Sequence, residues 1–315
     1  MSNSVSIIIP CRDEEKFVSQ CLASIIANDY PKDKLEVLVI DGMSEDGTRK
    51  IIEEYIRQYP YIKLLENPQK YTPFALNIGI KQAKGEIIMR MDAHAIYEKD
   101  YISKCLRYLD EYKADNVGGI WITVPRDNTF IGKAIALVLS HPFGAGNAYY
   151  RIGYSKEPRW VDTVPFGCYR KEIFKKIGFY NENLVRSQDM EFNLRLKKSG
   201  GKILLVPDIV SYYYPKSNLK EFFFHNFEDG IWAIYPLKFM KTPLRLRHYI
   251  PLIFVLTLPL NIWFYIPLSL FFSLQIAFRE KDLRLFFLMP LVFAARHIGY
   301  GLGSVVGLIK LLINK

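Results

Sequence analysis

Cysteine is scarce here. The four that occur, Cys11, Cys21, Cys105 and Cys168, show neither metal-ligand nor C-x-x-C spacing. That excludes a zinc-bound or disulfide-stapled class and reads as small buried thiols in a part of the chain facing a reducing cytosol. No leader-like apolar run opens the chain, residues 7–9 being too short for one, so no secretory signal is expected. Charge is almost missing from residues 249–278 and 285–313. Each stretch is about thirty residues of mostly apolar chain, more than the roughly 20 that cross a bilayer, so each is a candidate membrane element.

The first stretch has Pro251, Pro259 and Pro267 and no formal charge, which fits either a tilted, kinked span or a re-entrant pair. The second holds Arg296 and His297 near its centre. An unpaired charge there costs on the order of 3 kcal/mol, so a break or an interfacial course is expected. Arg245, Arg247 and His248 precede the first stretch, and Lys310 and Lys315 end the second. This puts both outer ends on the cytoplasmic side and the linker 279–284 facing outward. Between 220 and 241, aromatic residues alternate with Lys220, His225, Lys238 and Lys241, as in helices lying among lipid headgroups.

The 315 residues carry a net charge of +10, with a pI near 9.2, which suits nucleic acid, anionic lipid or a phosphorylated small molecule. The basic and aromatic residues cluster beside the lipid-like stretches and not on a soluble face. Nucleic acid is therefore set aside as a partner and a membrane is retained.

Short apolar runs at 5–10, 35–40, 62–65, 87–91 and 117–124 read as buried strands. Helical periodicity fills 14–27, 48–59 and 73–84, where Pro73 suits a first turn and Gly85 a stop. The first hundred residues therefore predict β-α-β-α-β-α-β, an α/β doubly wound sheet of parallel strands. Residues 125–208 read as loops and short helices shaping a substrate site. One helix is clear at 189–198, before a strand at 202–206.

Such a sheet binds its ligand beyond the carboxyl ends of its strands. Three strand ends here bring acidic groups: Pro10-Cys11-Arg12-Asp13-Glu14, Asp41-Gly42 and Asp92-Ala93-His94. Taken singly, Asp41 or Asp92 is more simply a turn or cap residue. Taken together, Asp41 can accept a hydrogen bond from a nucleobase, while Asp92 and His94 can hold a divalent metal whose remaining positions a diphosphate fills. The metal would stabilise charge on that diphosphate as it leaves. Asp189, at the start of its helix, is either an N-cap or a base that takes the proton from an attacking hydroxyl.

Ser6-Ile7-Ile8-Ile9-Pro10, Asp41-Gly42-Met43-Ser44-Glu45-Asp46-Gly47-Thr48, Met91-Asp92-Ala93-His94 and Gln188-Asp189 resemble, in order, the motifs of family 2 glycosyltransferases. Asp162-Thr163-Val164-Pro165-Phe166-Gly167 and Val185-Arg186-Ser187-Gln188-Asp189 are similar to ExoA-like enzymes of succinoglycan assembly. The resemblance covers roughly the first 210 residues. It implies the GT-A fold, a doubly wound mixed sheet, here with a C-terminal helical membrane-associated region. It also implies a nucleotide pocket lined by Pro10, Arg12, Glu14, Asp41 and Asp92, a metal at Asp92 and His94, a catalytic base at Asp189, and acceptor-side positions at Gly167 and Gln188.

Two residues depart from the family pattern. His94 stands where the second acid of D-x-D is usual, and Gln188 where a Glu commonly precedes the base. Imidazole binds manganese well and magnesium poorly, so a Mn2+ preference and loss of activity as His94 protonates are expected. Residues 226–232 lack the Q-x-x-R-W of processive members, implying transfer of a single sugar. The expected layout is a glycosyltransferase domain at 1–215, amphipathic interface helices at 216–248 and two transmembrane helices within 249–315. The enzyme would sit in the cell membrane with its catalytic domain toward the cytoplasm. The implied reaction is inverting transfer from a nucleotide-sugar donor, with uridine favoured as its base, to a hydroxyl of a lipid-linked saccharide acceptor in polysaccharide assembly. Loading of a sugar onto a polyprenyl monophosphate, or a non-catalytic nucleotide-sugar-binding role, are the alternatives.

Overall fold

The computed structural model describes residues 3–153, 156–239 and 249–313. Lys241, Arg245, Arg247, His248 and Lys315, on which the orientation and headgroup readings drew, lie outside the described residues. In chain order the elements are β1 Val5–Cys11, α1 Val18–Ile26, β2 Leu35–Asp41, α2 Thr48–Gln58, β3 Ile62–Glu66, α3 Thr72–Gln82, β4 Ile87–Arg90, β5 Ala95–Tyr97, α4 Tyr101–Glu111 and β6 Asn116–Thr123. Then follow α5 Phe130–Leu139, α6 Pro142–Ala145, α7 Tyr149–Ile152, β7 Arg159–Val161, β8 Cys168–Arg170, α8 Glu172–Ile177, α9 Gln188–Lys198 and β9 Ile203–Tyr213. The chain closes with α10 Leu219–Ile234, α11 Ile250–Leu256, α12 Leu258–Arg279 and α13 Arg284–Ile313. Two compact units result, one of Met1–Ile122 with Gly153–Tyr213, the other of Thr123–Ile152 with Tyr214–Lys315. Residues 123–152 thus fold with the C-terminal helices, an insert that a simple cut at 215 does not describe.

The first unit is built on a mixed sheet in the order β3-β2-β1-β4-β8-β6-β9-β5, with β7 paired to β9. Its first half is the parallel sheet the alternation predicts: β1 pairs with both β2 and β4, and β2 with β3. β1 and β2 are buried along nearly their whole length, as parallel strands covered on both faces must be. Beyond β4 the pairing turns antiparallel, through β8 to β6, and from β9 to β5 and β7. The GT-A-type sheet is therefore mixed. The region 125–208 is less irregular than its composition suggests, because five of its elements, α6, α7, β7, β8 and α8, are simply short.

The second unit is helical. Gly299, Gly303 and Gly307 of α13 face the carbonyls of Phe223, Phe227 and Ile231 on α10, so the two backbones run close and parallel, each step of four matched by a step of four. Phe222, Asn226, Gly230 and Ala233 of α10 are buried while Phe224 is 52% exposed. One face of the helix expected among headgroups is therefore packed core. α12 and α13 are long and apolar enough to cross a membrane by length and composition. The break expected at Arg296 is absent, since α13 continues through it. Arg296 donates to the Gly144 carbonyl and, at 2.7 Å, to Asn226 Oδ1. His297 contacts the Phe143 carbonyl through Nε2 at 2.8 Å and the Tyr265 hydroxyl through Nδ1 at 3.0 Å. Neutral partners satisfy these polar atoms in place, two main-chain carbonyls and the Asn226 amide oxygen accepting and the Tyr265 hydroxyl donating to His297 Nδ1, so the helix has no reason to open.

Gly119 in β6 tests how tightly the antiparallel half is packed. A Cβ there would overlap the Ile209 carbonyl of β9, and overpacking of this kind costs about 1–3 kcal/mol. Gly119→Ala is expected to lower the thermal unfolding midpoint of the detergent-purified protein by several degrees, while Gly200→Ala, at an open but positive-φ turn, lowers it less.

Candidate active site

β1 and β2 end side by side, Cys11 opposite Asp41, and the loops that leave them are stitched together. Gly42 N donates to the Cys11 carbonyl at 2.7 Å; a Cβ on Gly42 would stand 3.2 Å from that of Arg12, so glycine lets the two exits touch. Asp13 N donates to Ser44 Oγ at 2.9 Å, Glu45 N to Asp13 Oδ1 at 2.9 Å, and Glu14 N to Thr48 Oγ1 at 2.8 Å. Asp13 and Met43 take left-handed backbone angles, φ 53° and 60°, which turn the chain at these joints. Asp41 is fully buried. Its carboxylate accepts from Ser44 N and Oγ and, at 3.1 Å, from Arg49 Nη1. It holds the loop in shape, and nothing of it is open to a base. Arg12 is exposed, 3.5 Å from Asp13, and Pro10 is partly exposed near the end of β1.

The exit of β4 carries the principal charge cluster. Arg90 Nε and Nη2 donate to the two oxygens of Asp92 at 3.1 and 3.2 Å, a bidentate fork. Arg90 Nη1 stands 3.2 Å from Asp189 Oδ2 but makes no aligned hydrogen bond. The Arg90 side chain is 12% exposed, against 18% for Asp92 and 41% for Asp189. Burial disfavours its charge, yet Asp92 and then Asp189 outweigh that, and its pKa moves up. Arg90 joins the candidate site through these contacts, and no motif in the sequence marks it. The available signal was a lone cation in the apolar run Ile87-Ile88-Met89-Arg90-Met91.

Asp189 is the second residue of α9, and its carboxylate does not cap that helix. The cap position is Ser187, in a left-handed conformation with φ 61° and no capping side chain. α9 is fixed from below by Phe192, stacked on Tyr180 at 4.6 Å, and by Arg195, which donates to the carbonyls of Ile177 and Phe179. Asn77 of α3 grips the Tyr180 main chain on both sides, at 2.9 and 3.0 Å. Gly167 and Gln188 are both buried. The Gly167 carbonyl accepts from Arg90 N at 3.0 Å, and its missing side chain leaves room for the Tyr169 ring. Gly167 thus belongs to the frame around Arg90, and Gln188, the residue before Asp189, is buried with its Oε1 unbonded.

His94 Nδ1 meets Glu14 Oε1 at 2.9 Å. With Nδ1 donating to that carboxylate, Nε2 carries the lone pair, the arrangement in which a histidine ligates a metal. Glu14 therefore supports His94. Among the described residues no three His, Cys, Asp or Glu side chains gather as a metal cluster. Each Asp92 oxygen keeps a lone-pair direction beyond its Arg90 bond. Asp92 and His94 thus fit a cation shared with a diphosphate and do not fit a closed protein cage.

A doubly wound sheet with an acidic crevice edge, turned antiparallel beyond β4, defines a GT-A-type glycosyltransferase. The family model for glycosyl transferase family 2 matches residues 6–178, and the chain belongs to that family. It is 29% identical to dolichyl N-acetyl-alpha-D-glucosaminyl phosphate 3-beta-D-2,3-diacetamido-2,3-dideoxy-beta-D-glucuronosyltransferase of Methanococcus voltae, over 98% of both chains. It is 28% identical to succinoglycan biosynthesis protein ExoA of Rhizobium meliloti (strain 1021), over 73% of this chain and 68% of that one. Among solved structures, the mannosyltransferase PcManGT from Pyrobaculum calidifontis, in complex with GDP-Man and Mn2+, is similar with a TM-score of 0.66 at 19% identity, over 100% of this chain and 88% of that one.

Arg90 is expected to be indispensable as an arginine. Arg90→Met leaves two neighbouring carboxylates without their cation, a loss on the order of 3 kcal/mol; the exposure of Asp189 keeps it at the low end. Arg90→Lys recovers little, because an ammonium cannot make the fork. Unfolding midpoints and transferase rates of the two variants check this; a fully active Arg90→Lys would contradict it.

Proposed function

We propose that this enzyme transfers a single sugar from a nucleotide-sugar donor to a hydroxyl of a lipid-linked saccharide, inverting the anomeric centre. The observation that carries the reading is that one guanidinium, Arg90, touches both Asp92 and Asp189. This supports a diphosphate-side carboxylate and a base lying on either side of one reacting point. In this reading Asp189 accepts the proton of the attacking hydroxyl. Asp92 and His94, with Glu14 behind it, bind a divalent cation, Mn2+ favoured, that neutralises charge on the leaving diphosphate. Arg12 and Pro10 lie at the nucleotide end, with uridine the favoured base, and the buried Asp41 fixes the loop they stand on.

The acceptor class is supported by the Methanococcus voltae relative, whose name specifies a dolichyl-linked sugar phosphate and which aligns over 98% of both chains. The apolar helices α12 and α13 support a membrane setting, and in this reading the catalytic part faces the cytoplasm. Likeness to ExoA supports a place in polysaccharide or glycoconjugate assembly.

Asp189→Asn tests the role of the base. Transfer to a lipid-linked saccharide is expected to fall by roughly 10²–10⁴ in kcat, with nucleotide-sugar binding retained. Unchanged transfer would point to a lipid monophosphate acceptor, whose oxygen needs no base, and loss of donor binding would sink the nucleotide-sugar reading itself. In the same assay, His94→Ala is expected to raise the Mn2+ concentration for half-maximal rate, and Glu14→Gln to raise it less. A metal response identical to wild type in His94→Ala would remove His94 from the metal site.

A further inference from the structure

Arg296 is a full charge set within the apolar helix α13, and both of its hydrogen bonds go to neutral atoms: Nε donates to the Gly144 carbonyl and Nη1 to Asn226 Oδ1. Among the described residues its Nη2 has no partner. Arg151 of α7 lies near enough to repel it, and Asp229 of α10 near enough to attract it. That pull is shared, because Asp229 stands 3.5 Å from His225 Nε2 on its own helix. Arginine keeps its proton, so the fold cannot relieve two neighbouring guanidiniums by neutralising one. Holding them together in an apolar unit costs stability unless an anion joins them. An ionised group in such a helix marks a functional site whose partner is to be named.

The cluster is both fixed and open. Asn226 is fully buried, and its Nδ2 donates to the Phe222 carbonyl at 2.6 Å. That orients the amide and leaves Oδ1 for Arg296, so the plane of the guanidinium is set before a ligand arrives. Arg296, Arg151, Tyr150 and Tyr300 are each partly exposed, and both tyrosines stand close to Arg296. The turn between α6 and α7 leaves the approach clear: at Gly146, φ 58°, a Cβ would have nothing within 4 Å. A guanidinium held in plane with a free edge, beside a second one, matches the oxygens of a phosphate.

Apolar surface begins next to this charge. His297, the residue after Arg296, meets the Tyr265 hydroxyl of α12 at 3.0 Å, and Trp263 and Phe264 just before Tyr265 are 77% and 79% exposed. α11 packs on α13 where a Cβ at Gly301 would meet Val255 and the Pro251 carbonyl, and it adds Ile253 and Leu256, both more than half exposed. Such a surface is built to be covered. A phosphate or diphosphate joined to a long apolar chain satisfies the charge and the surface together.

We infer that Arg296 and Arg151, with Tyr150 and Tyr300, form a site for the phosphate end of an isoprenoid lipid, the group that carries the acceptor saccharide. This rests on the lipid-linked acceptor proposed above and assigns its phosphate to residues that all belong to the helical unit. Bulk anionic phospholipid also offers a phosphate beside an apolar chain, and the test separates the two.

The full chain in nanodiscs of neutral lipid, with a nucleoside diphosphate and Mn2+ filling the donor side, is titrated with farnesyl diphosphate. The wild type is expected to bind it more tightly than inorganic diphosphate. Arg151→Gln is expected to weaken binding by roughly 10–100-fold, the worth of a charged hydrogen bond, and Arg296→Lys to weaken it as well, since an ammonium keeps the charge without the fork. Unfolding midpoints show which variants fold, and the partly exposed Arg151 keeps the test open if Arg296→Lys does not. In the transfer assay the acceptor KM rises with the loss of binding and the donor KM does not follow. Wild-type affinity for farnesyl diphosphate in folded Arg151→Gln overturns the inference. So does displacement by phosphatidylglycerol at concentrations comparable to the probe, which marks a general headgroup site, or equal binding of inorganic diphosphate, which marks a free-anion site. Arg151-dependent binding of farnesyl diphosphate by a wild type that transfers no sugar to any lipid-linked saccharide would sink the proposed function and leave the lipid-phosphate site standing.

Discussion

The bidentate hold of Arg90 on Asp92, extended to Asp189, is the constraint on which the rest of the active edge depends. It joins the end of a parallel strand to the start of a helix about one hundred residues later, across the point where the sheet changes direction. Two part-buried carboxylates facing one crevice repel each other and lose hydration, and a guanidinium between them offsets both costs. Much of the surrounding structure serves to keep that guanidinium in register. The Gly167 carbonyl holds the Arg90 main chain, and the aromatic stack beneath α9 fixes the height of Asp189.

The two loops beside it follow a different rule. Their anchoring is through side chains that bond to neighbouring main chain: Asp13 with Glu45 and Ser44, Thr48 with Glu14, Asp41 with Ser44. Such bonds suit Asp, Ser and Thr, which compete with regular ladders and so favour turns. A fully buried Asp41 is then explained by the loop it closes, and the exposed Arg12 is the group left facing outward.

These contrasts show what could be read from the chain. β1 to β4 and α1 to α3 were legible because each is long enough to display its period, and the acidic residues stand directly after the strands. β5, β7 and β8 have three residues each, too few for alternation to show; they exist because longer neighbours offer an edge. Asp92, His94 and Asp189 were legible by motif. Arg90 was not, since a cation inside a strand gives no sign of which face it takes or what it meets. The roles of Glu14, Gly167 and Gln188 likewise depend on contacts between distant segments, which no local pattern encodes. The insert 123–152 was missed for another reason: α5 is only ten residues long, below the length that marks a membrane element.

That insert matters for the proposed chemistry. A lipid-linked acceptor has a saccharide that belongs in water and a chain that belongs in lipid, so its enzyme must present a polar catalytic unit and an apolar one together. Here the chain passes between the two units at 122–123, at 152–153 and at 213–214. In the helical unit, Arg296 and His297 donate to the main-chain carbonyls of 143–144, and Arg296 also to Asn226 Oδ1. Polar residues of α13 thus fasten the 123–152 insert to the C-terminal helices.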